Sequence, residues 1–279
     1  MIHYRELTKA FARLGLDSHS RVLAHAAPGT AKLLAGGGES LVAGLVSVTE
    51  TVMMPAFTLR AAIVPPFGPD DNGLEYGVDD AANFDSEIFT PELPVDIDQG
   101  EAAELLRVHN EAVRSGHPLL SFSVVGADES LSSQTLDEPL APLEWLAEYD
   151  ADVLLVGVDH RVNVALHWAE RQAGRKTFVR WALTEGGVAV CRNMPGCSEG
   201  FNAIEERLGG EVRRTVLGPL TMEAIALRDL LNIAAAWMRE DPRALLCERP
   251  SCLACAAVRK DVRQEDAAPS NHADMVGDS

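Results

Sequence analysis

The first sixty residues alternate between helix-type and strand-type periodicity, and that alternation confines the chain to a layered α/β fold. Apolar residues recur at helical spacing from Tyr4 to Leu14, Gly15 interrupts them, and Arg21-Val22-Leu23-Ala24-His25 reads as a strand. Gly36-Gly37-Gly38-Glu39-Ser40 opens a second helical stretch through Val48, and Thr51-Val52-Met53-Met54 reads as the next strand. A helix joining successive strands lets the chain return along the sheet in the same direction. The expected architecture is an α/β/α sandwich with a largely parallel central sheet and helices on both faces.

The same reading continues downstream. Helices are expected over 99–113, 163–173, 201–208 and 226–239, and strands over 119–125, 152–158 and 212–217. Residues 177–190 read as a hairpin closed by Glu185-Gly186-Gly187, a small addition toward the C-terminus. Between 60 and 98, Pro65, Pro66, Pro69, Pro91 and Pro94 punctuate a long acidic loop that carries Asp70, Asp71, Glu75 and Asp85. Loops of that length inside a domain are either binding segments or mobile insertions. From Lys260 the chain is polar and aperiodic, so residues 1–259 are expected to form one domain and 260–279 a disordered tail.

A chain of 279 residues with 47% hydrophobic residues can fill a real core. No apolar run approaches the roughly 20 residues that cross a bilayer, and the start lacks a signal-peptide segment, so a cytoplasmic location is expected. Lys plus Arg total 24 against 42 Asp plus Glu, a net charge of −18. That balance argues against nucleic acid as a ligand and favours cationic partners, although it also serves solubility alone.

Three segments carry groups suited to chemistry. Asn163-Val164-Ala165-Leu166-His167-Trp168-Ala169-Glu170 follows the strand expected at 152–158. His167 and Glu170 are three apart on a helix and close to the carboxyl end of that strand, where open α/β sheets bind ligands. A carboxylate beside an imidazole makes a base able to take a proton from an amine or hydroxyl, though such pairs are also common on solvated helix faces. In Arg114-Ser115-Gly116-His117-Pro118-Leu119-Leu120-Ser121, a loop enters a strand. His117 is a second candidate base or a hydrogen-bonded structural residue, and Arg114 with the hydroxyls suits a phosphate or pantetheine arm. Gly36-Gly37-Gly38 offers amides to an anion or is a plain turn.

All five cysteines lie in the last third: Cys191, Cys197, Cys247, Cys252 and Cys255. The C-x4-C-x2-C run from Cys247 to Cys255 can place thiolates on one metal, with Cys197 or Cys191 as fourth ligand. A structural zinc held by Cys197, Cys247, Cys252 and Cys255 is one reading, and free thiols or an iron–sulfur cluster are the others.

There is no G-x-S-x-G elbow, kinase motif set or dinucleotide fingerprint. Taken in order, however, the segments Val22-Leu23-Ala24-His25, Gly37-Gly38-Glu39-Ser40, Met54-Pro55-Ala56-Phe57-Thr58, Phe84-Asp85, Arg114-Ser115-Gly116-His117-Pro118 and Asn163 through His167 to Glu170 resemble the aminoglycoside 3-N-acetyltransferase family, over about Glu6 to Arg239. The resemblance implies the antibiotic N-acetyltransferase fold, distinct from the GNAT type, and acetyl transfer from acetyl-CoA to the 3-amino group of an aminoglycoside. By that analogy His25, Gly37, Gly38, Arg114, Ser115, His117 and Ser121 line the CoA site. His167 and Glu170 are catalytic, while Asn163, Asp70, Asp71, Glu75 and Asp85 meet the polycationic amine. Ala26, Ala27 and Val164 stand where members commonly carry hydroxyl residues, which is expected to weaken hydrogen bonding to CoA. Alternatives within the same fold are a metabolic-amine acetyltransferase and a silent CoA- or amine-binding homologue. A homodimer is compatible with either.

Overall fold

A computed structural model describes residues 1–77 and 83–267. Its centre is three parallel strands. β1 (Arg21–Ala26) runs between β2 (Thr51–Pro55) and β6 (Asp152–Val156), with α2 (Gly37–Val48) connecting the first two. These strands are nearly continuous apolar runs, as strands covered on both faces must be. Antiparallel strands extend the sheet on each side: β5 (Phe122–Val125) and β4 (Val113–Arg114) beyond β2, β10 (Leu220–Ala226) and β9 (Arg213–Leu217) beyond β6. The hairpin of β7 (Phe178–Thr184) and β8 (Gly187–Met194) forms at the expected place and joins β3 (Ala62–Ile63) in a separate three-stranded sheet.

The two-residue period of the strands sorts their side chains into two cores. Leu23, Met53, Val153, Leu155 and Ile225 pack with α4 (Pro142–Glu148), α5 (Ala165–Gln172) and α7 (Leu227–Glu240). Val22, Ala24, Val52, Met54, Leu154 and Val156 pack with α1 (Tyr4–Arg13), α2 and α3 (Glu101–Arg107). His25 shares the parity of Leu23, so the strand directs it to the α5 side.

Several boundaries differ from the expectation for local reasons. The strand expected from Leu119 starts at Phe122, because the amides of Leu119 and Leu120 donate to His117 Nδ1 and are lost to the ladder. The helix expected over 99–113 is only Glu101–Arg107, since Val113 and Arg114 pair with β5. Residues 201–208 form a 3-10 turn and the short α6 (Glu205–Leu208). The expected disorder from Lys260 is corrected by α8 (Leu253–Ala267), which buries Ala257 and Val258 in the core and pairs Lys260 with Asp71. The remainder of the expected tail, 268–279, lies outside the described residues. No helix among the described residues is long and apolar enough to cross a membrane.

Candidate active site

At the carboxyl edge of the parallel strands the connections diverge. The chain leaving β1 forms α2 on one face, and the chain leaving β6 forms α5 on the other, which opens a crevice between them. A cavity of about 220 Å³ occupies this edge, and its wall includes His25, Met54, Phe57, Val164, His167 and Ser198. Its far side carries Asp98 and Gln99, from a turn lying directly on the end of β1. Gly100 permits that approach: its φ is +84°, and a Cβ there would stand 2.8 Å from the Ala26 carbonyl oxygen.

His167 projects from α5 into this cavity and also borders a narrower cleft with Glu138, Thr177 and Asn193. Its Nδ1 lies 2.7 Å from Glu170 Oε2. An ionised carboxylate only accepts, so Nδ1 carries the hydrogen and the lone pair resides on Nε2. Phe201 packs on the imidazole, with ring centroids 4.7 Å apart.

Glu170 is itself held by Arg175, whose Nη1 donates to Oε1 at 2.9 Å. Burial pushes the Glu170 carboxyl pKa up, but the hydrogen bond and charge of His167 and the Arg175 guanidinium outweigh it and hold the pKa below the usual value. The Arg175 side chain is 4% exposed. Its Nη2 donates to the carbonyls of Pro242 and Ala244, so the segment after α7 fixes the guanidinium in place. The arrangement is a chain of fixed groups, Arg175 to Glu170 to His167, that ends on a basic nitrogen.

Helical spacing does not find Arg175, because it lies five residues beyond Glu170. The signal is Gly174. With φ +76° it ends α5 in a Schellman turn, in which Gly174 N–H bonds Arg171 and Arg175 N–H bonds Glu170. That reversal returns the Arg175 side chain over the last turn. Asn163 stands in the cavity wall, where its Oδ1 accepts the Ala165 amide and starts α5.

His25 is the one other proposed binding residue in this wall. Burial, with some repulsion from His160, lowers its pKa to about 3, so the ring is neutral and its buried Nε2 has no partner among the described residues. The segment from Arg114 to Ser121 is placed elsewhere. Arg114 donates to Ser121 Oγ and to the carbonyls of Ala56, Pro91 and Leu93, and Ser115 Oγ accepts the Phe122 amide. Arg114, Ser115 and His117 border a separate open cleft, and Ser121 is fully buried. Their polar groups are largely committed to the loop itself. Gly37 and Gly38 begin α2 against Glu101 and do not line the His167 cavity.

The acidic residues of the 60–98 loop are likewise placed elsewhere. Asp70, Asp71, Glu75 and Asp85 line neither cavity beside His167. Asn72 pins the segment to β7 by accepting from the Val179 amide and donating to its carbonyl, and Asp71 pairs with Lys260. The four cysteines Cys197, Cys247, Cys252 and Cys255 do come together, in a separate cluster.

The fold has counterparts in known proteins. The chain is 27% identical to aminoglycoside N(3)-acetyltransferase VII of Streptomyces paromomycinus over 264 residues, 84% of this chain and 90% of that one. A mutant of the aminoglycoside acetyltransferase AAC(3)-IVa, in complex with a gentamicin, superposes with a TM-score of 0.73 at 24% identity, covering 92% and 96% of the two chains. AAC-IIIb in binary complex with CoASH superposes at 0.69 and 22% identity, over 86% and 97%. The family profile described as aminoglycoside 3-N-acetyltransferase matches residues 23–239. The chain belongs to the aminoglycoside 3-N-acetyltransferase family.

Proposed function

We propose that this protein transfers the acetyl group of acetyl-CoA to the 3-amino group of an aminoglycoside, with Nε2 of His167 as the proton acceptor. The carrying observation is the Arg175–Glu170–His167 chain ending beside a cavity at the carboxyl edge of the sheet. An ammonium has no lone pair, so the acceptor loses one proton to solvent, and the resulting amine must shed a second as its nitrogen bonds the thioester carbonyl carbon. Nε2 takes that proton. Glu170 stabilises the imidazolium that results, and the collapse of the tetrahedral adduct returns the proton to the departing CoA thiolate.

The two linings support acetyl-CoA in one cavity and the acceptor in the other. The 220 Å³ cavity has apolar walls at Ala24, Pro28, Met54 and Phe57, suited to the extended pantetheine arm, and His25 presents its unpartnered Nε2 there. The cleft on the other side of His167 is lined by Asn193, Lys176 and the Arg171–Glu138 ion pair, hydrogen-bonding groups that fit a sugar better than the CoA arm. Arg114 and Ser121 then support the wall through the Ala56 carbonyl, and Ser115 and His117 fix the loop around them, rather than touch CoA. Ala26 lines the cavity without a hydroxyl, so acetyl-CoA is held there by shape and by His25.

The test is CoA thiol release by the purified protein with a panel of aminoglycosides, beside simple diamines and a no-amine control, followed by mapping of the acetylated nitrogen. Aminoglycoside-dependent release with acetyl on the 3-amino group is the expected result. Release with simple diamines alone, or acetylation at another nitrogen, would reject this substrate assignment.

A further inference from the structure

Away from the His167 cavity, four of the five cysteines converge. The sulfurs of Cys197, Cys247, Cys252 and Cys255 all lie within 4.8 Å of one another, and none is in a disulfide. A tetrahedron of Zn–S bonds of about 2.3 Å places its sulfurs roughly 3.8 Å apart, so the group needs only a small contraction to close on one ion. An iron–sulfur cluster puts several atoms between its ligands and spaces them more widely. The fifth cysteine, Cys191, stands apart in the middle of β8 and is fully buried in the hydrophobic core.

The chain is organised to present these sulfurs. Cys252 and Cys255 flank the start of α8, three residues apart and therefore on one face, where the positive end of the helix favours thiolates. Cys247 enters from the preceding turn and Cys197 from the loop after β8, fifty positions earlier in sequence by the difference of their numbers. The two segments are in intimate contact: a Cβ at Gly200 would stand 2.4 Å from the Leu245 carbonyl oxygen. Arg249 directs Nη2 at Cys197 Sγ, 3.7 Å away, and Arg259 donates to the Cys247 carbonyl. A zinc ion with four thiolates carries net charge 2 − 4 = −2, and a guanidinium at its edge offsets part of that charge.

We propose that Cys197, Cys247, Cys252 and Cys255 bind one zinc ion in a closed, structural site. Four sulfur ligands leave no position for water or substrate, so the ion acts as a staple and takes no part in acetyl transfer. It fastens the loop after β8 to the start of α8. That loop carries Ser198 into the cavity wall and leads to Phe201 on the His167 ring, while the other fastened segment follows the carbonyls of Pro242 and Ala244 that hold Arg175. The zinc site thus braces both supports of the His167–Glu170 pair.

The full chain, purified under reducing conditions without chelator, is to be analysed for metals. About one zinc per chain is expected in the wild type and in Cys191→Ala, against well under half in Cys252→Ser, whose ligand is partly exposed. If Cys252→Ser does not fold, wild-type protein produced in cobalt-supplemented medium answers the same question, because cobalt held by four thiolates gives intense visible ligand-field and charge-transfer bands. Substoichiometric zinc with four freely alkylated thiols, iron in place of zinc, two disulfides in the intact mass, or cobalt protein without those bands would each overturn the proposal.

Discussion

His167 and His117 are the same residue type, each near the entrance or exit of a strand of one sheet, and the structure gives them opposite chemistry. His117 is 3% exposed and accepts two backbone amides on Nδ1. Burial lowers its pKa to about 4, and among the described residues no carboxylate is one of its hydrogen-bond partners. Its proton therefore sits on Nε2, so no basic lone pair is free. His167 gives its Nδ1 hydrogen to Glu170 and presents Nε2 as a base. What separates a base from a loop pin is the group bonded to Nδ1, an acceptor in one case and donors in the other.

Substituting the two histidines is the strongest way to break that comparison. His167→Ala removes the proton acceptor and should lower kcat/KM for CoA release on the order of 100-fold or more, with the fold retained. In His117→Asn the new Oδ1 still accepts backbone amides, and turnover per folded molecule should stay within about threefold. Reversal of these two results would move the base to His117.

The second test attacks the support behind His167. Arg175→Met leaves Glu170 with one partner in a buried site, which should reduce stability by about 3–5 kcal/mol. It should lower kcat roughly tenfold while KM for acetyl-CoA holds, because Arg175 acts only through Glu170. Without the guanidinium Glu170 holds a proton more readily, so the acid limb of the rate profile moves to higher pH. Arg175→Lys should recover part of kcat. An unchanged pH profile in Arg175→Met would leave Arg175 with a packing role alone.

How much of this is legible in sequence follows from which interactions are local. The strand–helix alternation reads correctly because β1, α2, β2, β6 and α5 each carry their own periodicity, and His167 with Glu170 is a one-turn relation. β10 escapes such a reading because its antiparallel place beside β6 is set by tertiary pairing, and α4 because seven residues give too short a pattern. Arg114 resembles an anion ligand by composition. Its burial beneath the carbonyls of Ala56 and Leu93 depends on segments 21 to 58 residues away in sequence. The cysteine cluster is readable from the C-x2-C spacing, whereas the choice of Cys197 over Cys191 depends on packing that buries Cys191 within β8 and leaves Cys197 in the loop beyond it.

A pH titration of stability sharpens the contrast at smaller amplitude. Between pH 6.5 and about 4 the unfolded chain protonates His117 while the folded chain does not, and for His25 the interval extends to about 3. The unfolded state then binds more protons, so stability falls as the medium is acidified through that window. Each shift corresponds to about 3 kcal/mol or more at its lower limit, from about 1.4 kcal/mol per pKa unit. Glu170, whose carboxyl is lowered in the folded state, adds a further loss beginning only near its ordinary pKa of 4.5. Chemical denaturation at stepped pH should show His117→Asn with a shallower slope than wild type from pH 6.5 downward. An equal slope would mean that the folded protein accepts the proton at His117.

The smallest effects belong to the acidic loop. Asp70, Asp71, Glu75 and Asp85 border neither cavity at His167, and Asp71 is paired with Lys260. Their action on a polycation is then a long-range attraction, screened beyond about 10 Å at 0.1 M salt. Asp70→Asn combined with Asp85→Asn should raise KM for an aminoglycoside less than about twofold at that ionic strength and leave kcat alone. Glu138→Gln, at the cleft beside His167, should raise it more. If the loop variant proved the more damaging, with kcat unchanged, the loop must close over the bound sugar, and the acceptor would be held from the β7 side of His167 rather than by Glu138.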